Sequence, residues 1–242
     1  MRIIDARAKY LDNRPFVSMT ELESYGENTY STLLYLTLQS LPLSSLTLDH
    51  LASHIGKAAG IAAVLRGLPL IAFPAPPKQH FNSQGLSPGV QEMRKGSQMG
   101  SVVLPLDVMA DCGVREEDLL RQGSETKGLR DAVFKVATRA SDHLITARSM
   151  LENIWKGEDV GHAFEHEGED GHEYGEVGGG RRKGGQKDEV DKAFGVLMPA
   201  VSTDLWLRRL EKVDFDVFDE GLRRREWRLP WKAWLAWKRG MF

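Results

Sequence analysis

The chain has 242 residues, 41% hydrophobic and 27% charged, with a formal net charge of −2; this is long enough for one large or two small domains with a core, and it excludes the global basic field of a nucleic-acid binder. Cys112 is the single cysteine, so no internal disulfide can form and a reducing compartment fits. No run of about 18 uninterrupted apolar residues appears, so no transmembrane helix is expected, and "MRIIDARAKYLDNRPF" has neither the apolar block of a signal peptide nor, with Asp5 and Asp12 among its basic residues, the pattern of a clean transit peptide.

In chain order, "SMTELESYGENTYSTLLYLTLQS" predicts a helix with two overlapping capping boxes, Ser18 with Glu21 and Thr20 with Glu23. Its stripe is Leu22, Tyr25, Thr29, Leu33 and Leu36, in steps that return to one helical face. "HIGKAAGIAAVLRG" belongs to a better one: Leu48, Leu51, Ile55, Ala58, Ala62 and Leu65 describe a buried face. Gly56 and Gly60 on that helix let a neighbour approach closely, for which tight packing is the default reading. After Gly67 the pattern breaks. "LPLIAFPAPPKQHFNSQGLSPG" carries five of the ten prolines and predicts a long loop, a candidate lid.

A short apolar run follows, limited by Pro105 to a turn or extended piece, and then "VREEDLLRQ", a short helix closed by Gly123. "LRDAVFKVATRASDHLITARSMLENIW" gives the strongest helical signal, with Leu129, Val133, Val136, Ala140, Leu144, Ala147 and Leu151 repeating as heptads. From Lys156 to about Glu189 the composition turns to glycine and charge, which predicts disorder. Helical pattern resumes at "VDKAFGVLMPAVSTDLWLRRLEKVDF", where Ser202 or Thr203 can cap the half after Pro199. The expected architecture is all-α: a core over 1–155, an insert over 156–190, and C-terminal helices with a Trp/basic tail over 191–242.

Several constellations invite chemistry. His50 and His54 have the i, i+4 spacing of a metal-chelating pair, but Lys57 opposes a cation on that face, so polar contacts at a helix edge are the better reading and no metal is assigned. His162, His166 and His172 lie in the glycine-rich insert, where nothing preorganises them. No nucleophile elbow, P-loop or dinucleotide fingerprint is present. The C-terminus "RRREWRLPWKAWLAWKRGMF" places Trp227, Trp231, Trp234 and Trp237 among Arg228, Lys232, Lys238 and Arg239. Tryptophan favours bilayer interfaces and basic residues favour anionic lipid, so this segment predicts an in-plane membrane or partner contact, against the alternative that it docks on the helical body.

Taken together, "YGENTYSTLLYLTL", "HIGKAAGIAAVLRGLP", "VVLPLDVMADCGVREEDLLR" and "VDFDVFDEGL" resemble the squalene/phytoene synthase-like family, over about residues 1–155 and 191–225. The closer likeness is to its mitochondrial branch, which serves the assembly of respiratory complex I (NADH:ubiquinone oxidoreductase). The resemblance implies an isoprenoid synthase type of helical fold. Enzymes of the family hold prenyl diphosphates through magnesium on two aspartate-rich helix motifs, since carboxylates one turn apart chelate the ion and it neutralises the leaving group. The second motif follows the arginine of an "LRD" sequence; here its aspartates fall on Gly67 and Ile71, while Arg66 remains. The first would lie upstream of Met1, so the chain is expected to lack the family's N-terminal helices.

The resemblance therefore implies a non-catalytic protein without cofactor, on the matrix side of the mitochondrial inner membrane. Its expected partners are complex I subunits or other assembly factors, with peripheral lipid contact and no nucleic acid. An inherited cavity with Tyr25, His54, Lys57 and Arg66, and small residues Gly56, Ala59, Gly60 and Ala63 admitting close approach, would take a lipid, an isoprenoid tail or a hydrophobic segment. Helix packing and a surface ion pair are the alternative for those residues. The rival reading is an active prenyl-transferring enzyme that uses Asp107 and Asp111 as a displaced metal site. A third is a truncated product with no stable fold.

Overall fold

Ser18 ends the extended chain before the first long helix, and its hydroxyl accepts the Glu21 N–H at 3.2 Å, so α2 (Met19–Gly26) begins where its first capping box predicts. Thr20 lies inside that helix and caps nothing. The computed structural model describes residues 2–41, 43, 45–74, 100–158 and 183–242, and every regular element among them is helical. A short α1 (Arg2–Lys9) precedes α2. After Gly26 the helix passes through a π turn, Glu27–Ser31, into α3 (Thr32–Ser40).

That turn overturns the last two positions of the predicted stripe. The Thr32 N–H reaches back five residues to the Glu27 carbonyl, and the Thr32 hydroxyl donates to the same oxygen at 3.1 Å. A π turn winds one extra residue, so all later side chains rotate by one position. Leu22 and Thr29 are buried as predicted, but Leu33 and Leu36 are exposed, and Leu34 and Leu38 are buried in their place.

The central helix, α4 (Leu46–Ala72), buries its whole predicted stripe from Leu48 to Leu65. It also runs on through Pro69, where a loop was expected from Leu68. Pro69 lies in the last turn, so its missing N–H forfeits only the bond to the Leu65 carbonyl, and its ring is buried. By length and composition α4 could cross a membrane, contrary to the expectation from uninterrupted runs. It packs instead against α2, the π turn, α3, α7 (Leu129–Lys156) and α9 (Pro199–Lys212), so its apolarity serves the protein core.

The glycine face of α4 is covered by protein. A Cβ on Gly56 would stand 2.2 Å from the Ser31 hydroxyl oxygen and 2.4 Å from Ser31 Cα, and one on Gly60 would stand 2.7 Å from Gly26 Cα. Helix packing thus occupies the close-approach surface of Gly56 and Gly60, which leaves no room there for a lipid or an isoprenoid tail.

Pro105 does not bar a helix but starts one: with φ at −60° and no N–H to satisfy, it caps α5 (Leu106–Asp111). α6 (Glu116–Gln122) closes on Gly123 at φ +61°, as expected. α7 buries every residue of its predicted heptads. α8 (Lys183–Ala193) begins inside the stretch expected to be disordered. Residues 75–89 of the expected loop and 159–182 of the insert, with His162, His166 and His172, lie outside the described residues. In α9, Pro199 already occupies the first turn, so Ser202 and Thr203 are not caps; their hydroxyls donate to the Pro199 carbonyl at 3.0 and 2.8 Å. A single turn, α10 (Glu220–Arg223), leads to α11 (Leu229–Arg239), which ends at Gly240 with φ +62°.

Candidate functional site

Tyr10, Phe16 and Tyr25 form an aromatic cluster with ring centroids 4.6–5.4 Å apart. They line a cavity of about 160 Å³ together with Tyr30, Val64, Gly67 and Ile71. Gly67 and Ile71 are the positions to which the family resemblance assigns aspartates, and α4 brings them to one cavity, a turn apart. Among the described residues no carboxylate lines it; Arg14, Asn13 and the tyrosines supply its polar groups. Magnesium requires several hard, preferably anionic oxygens in near-octahedral array. A cation, an amide and phenols beside aliphatic walls do not fit that ion. The volume is also about half of the roughly 300 Å³ at the small end of ordinary ligand pockets.

The four residues expected to share a remnant cavity do not converge. Tyr25 lines the aromatic cavity, and burial raises the pKa of its hydroxyl. Lys57 lends its backbone to the α2–α4 contact: a Cβ on Gly26 would meet Lys57 Cα at 3.2 Å and its carbonyl oxygen at 3.3 Å. Arg66 holds its guanidinium over the Trp206 ring on α9, 5.0 Å from the centroid. His54 is fully buried rather than at a helix edge, and it belongs to a different construction.

That construction is a line of polar side chains through the core. His50 Nε2 lies 3.1 Å from His54 Nε2, His54 Nδ1 lies 3.0 Å from His143 Nδ1, and His143 Nε2 lies 2.8 Å from Glu23 Oε1. Arg139 forks onto both Glu23 oxygens. Burial pushes the Glu23 carboxyl up, but the bonds from His143 and Arg139 outweigh it and hold the pKa at about 2. An ionised Glu23 only accepts, so His143 Nε2 donates to it. With His143 neutral, His54 Nδ1 then donates to His143 and His50 Nε2 donates to His54; a charged His143 reverses both bonds. Glu23, Arg139 and His143 were missed as a cluster because they lie 116 and 120 residues apart. One signal was available: His143 falls on the heptad face, three residues after Ala140.

A smaller network fixes the π turn. Tyr35 donates to Glu27 at 2.5 Å and Ser53 donates to the other Glu27 oxygen at 2.7 Å. The displaced metal pair is committed elsewhere: Asp107 accepts the N–H groups of Met19 at 3.0 Å and Val108 at 2.7 Å, and Asp111 pairs with Lys135 at 3.2 Å. Among the described residues no group of three or more His, Cys, Asp or Glu is arranged to hold a metal.

The chain belongs to the squalene/phytoene synthase family, whose model matches residues 1–70 and 90–234. Within it, the chain is similar to proteins named NADH dehydrogenase (ubiquinone) complex I, assembly factor 6: 32% identical over 99% of this chain and 54% of the Mus musculus protein, and 31% over 99% and 54% of the Homo sapiens protein. The Drosophila melanogaster homolog is 30% identical over 98% of this chain and 52% of its own length. The chain thus spans about half the length of these relatives. No solved structure matches it significantly.

Proposed function

We propose that this chain is a non-catalytic assembly factor for mitochondrial respiratory complex I, working on the matrix side of the inner membrane with complex I subunits or other assembly factors as partners. One observation carries the non-catalytic part. The two positions given to magnesium-binding aspartates in the family's enzymes are Gly67 and Ile71, and the cavity they share is lined by no carboxylate among the described residues. Without a metal to neutralise a diphosphate leaving group, the main electrostatic support for ionisation is missing. The names of the relatives support the assembly role.

The test is a deletion strain analysed by native gel with in-gel NADH dehydrogenase activity. Loss of assembled complex I, restored by re-expression and equally by a Gly67→Ala variant, is the expected result; normal complex I in the deletion strain overturns the reading. Magnesium-dependent release of diphosphate from a prenyl diphosphate by the purified protein would instead establish the rival enzyme.

A further inference from the structure

α11 is fastened to the body by its inner side and its terminus. Ala236 is buried against the core. The Trp155 indole N–H on α7 donates to the Gly240 carbonyl at 2.8 Å, and Arg148 donates to the Phe242 carbonyl at 2.7 Å. None of these contacts uses the tryptophans of the helix or of the turn before it. Trp227, Trp231, Trp234 and Trp237 are 71%, 66%, 49% and 63% exposed. At helical spacing Trp231, Trp234 and Trp237 share the side facing away from Ala236, and Trp231 and Trp234 meet edge to face at 6.4 Å. Arg228 lies 5.3 Å from the Trp227 ring and Lys238 lies 5.3 Å from the Trp234 ring. A cluster of exposed indoles edged by cations is an interaction surface, since isolated apolar side chains are common on proteins but such patches are not.

The adjoining groove says what it fits. Between α9 and α11 lies a cavity of about 320 Å³ lined by Arg208, Arg209, Lys212, Arg228, Lys232 and Arg239 over an apolar floor that includes Leu205 and Leu235. Its two side-chain carboxylates are already engaged: Asp204 with Arg208 at 2.7 Å and with Arg148 at 3.4 Å, and Glu226 with Arg209 at 3.8 Å. Six side-chain cations against two paired side-chain carboxylates leave the groove's side chains net positive in a chain whose overall charge is −2.

We propose that this face docks on an anionic phospholipid bilayer, with the tryptophans of α11 in the interfacial layer and lipid phosphates held by the basic groove beside them. Indole rings settle at the headgroup level, and clustered Lys and Arg are drawn to anionic lipid. The charge asymmetry selects lipid over a protein partner, which would match the indoles with an apolar pocket and needs no row of cations. This surface gives the membrane location proposed above its physical contact. Vesicle binding is read without complex I, so either reading can fail alone.

The experiment is flotation of the full chain with vesicles of phosphatidylcholine alone or with about one-third phosphatidylglycerol, together with tryptophan emission and quenching by brominated lipid. Anionic vesicles should bind at least ten-fold more tightly, with blue-shifted emission. Trp231→Ser with Trp234→Ser, and separately Lys232→Glu with Arg239→Glu, should each weaken binding about ten-fold at unchanged circular dichroism. All four side chains are exposed, so the variants keep the fold. Three outcomes overturn the proposal: no preference for anionic vesicles, binding unchanged in both double variants, or emission unaltered on binding. Abolition by millimolar inorganic phosphate at constant ionic strength would assign the groove to free phosphate, and capture of a complex I subunit by the indoles with no vesicle binding would assign the face to protein; each also overturns it.

Discussion

Gly60 and Gly67 lie two turns apart on α4, and their surroundings set opposite expectations. A methyl group on Gly60 meets the Gly26 backbone at 2.7 Å, and backbone cannot swing aside as a side-chain tip can. Gly60→Ala should therefore lose about 1–3 kcal/mol to overpacking. A methyl group on Gly67 meets only Ile71 Cδ1, at 3.8 Å, so Gly67→Ala should gain up to about 1 kcal/mol from helix propensity. Urea midpoints at constant m-value check both. Glu23 sets the acid response. Its folded pKa of about 2 lies below the ordinary value of 4.5, so the stability it contributes is present above pH 4.5 and is lost as pH falls toward 2. The gap corresponds to something on the order of 3 kcal/mol. Glu23→Gln should lose about 3–5 kcal/mol at pH 7, because Arg139 and His143 keep their places without a charge between them. It should also flatten the fall in unfolding free energy between pH 4.5 and 2.

Among the elements, the π turn governs which face of α3 is buried. Deleting Asn28 from it should restore an α-helical register, swing Leu34 and Leu38 out of the core, and cost at least about 4 kcal/mol, the loss of two buried leucines. A shifted denaturation midpoint, or failure to fold, checks this. The docking of α11 is tested by Trp155→Phe, which removes the bond to the Gly240 carbonyl. Trypsin should then cut several-fold faster at Arg223–Arg225, which are exposed just ahead of the helix. The same elements show what was legible in the residues themselves. α7 and the stripe of α4 repeat regularly and bury the residues their periods name. The outward turn of Leu33 and Leu36 was not legible, because one extra residue in a turn leaves no mark in hydrophobic spacing. Pro69 reads as a stop, yet in a last turn it removes only one bond. The likeness to family motifs assigns aspartates to the positions of Gly67 and Ile71. Their shared cavity with Tyr25 was not legible, since Tyr10, Phe16 and Ile71 come from three separate segments.

For the molecule as a whole, α4 is the axis to which α2, the π turn, α3, α7 and α9 attach. On the proposed non-catalytic reading, in which Gly67 and Ile71 stand where the family resemblance places magnesium ligands, the protein should show no melting-temperature shift beyond about 1 °C when magnesium and a prenyl diphosphate are added together. A shift of several degrees would mean that both ligands bind, since binding to the folded state raises stability by mass action. The line from His50 to Glu23 has a further consequence, which concerns time. His143 follows Glu23 by 120 residues, and at about 5–20 residues per second a ribosome needs roughly 6–24 s to cover that distance. Until then the Glu23 carboxylate has neither His143 nor Arg139 beside it, and the face of α4 that α7 covers has no partner. The nascent first half therefore stays open, with the apolar side of α4 uncovered, until α7 arrives. That interval is when a chaperone has the most of this chain to hold.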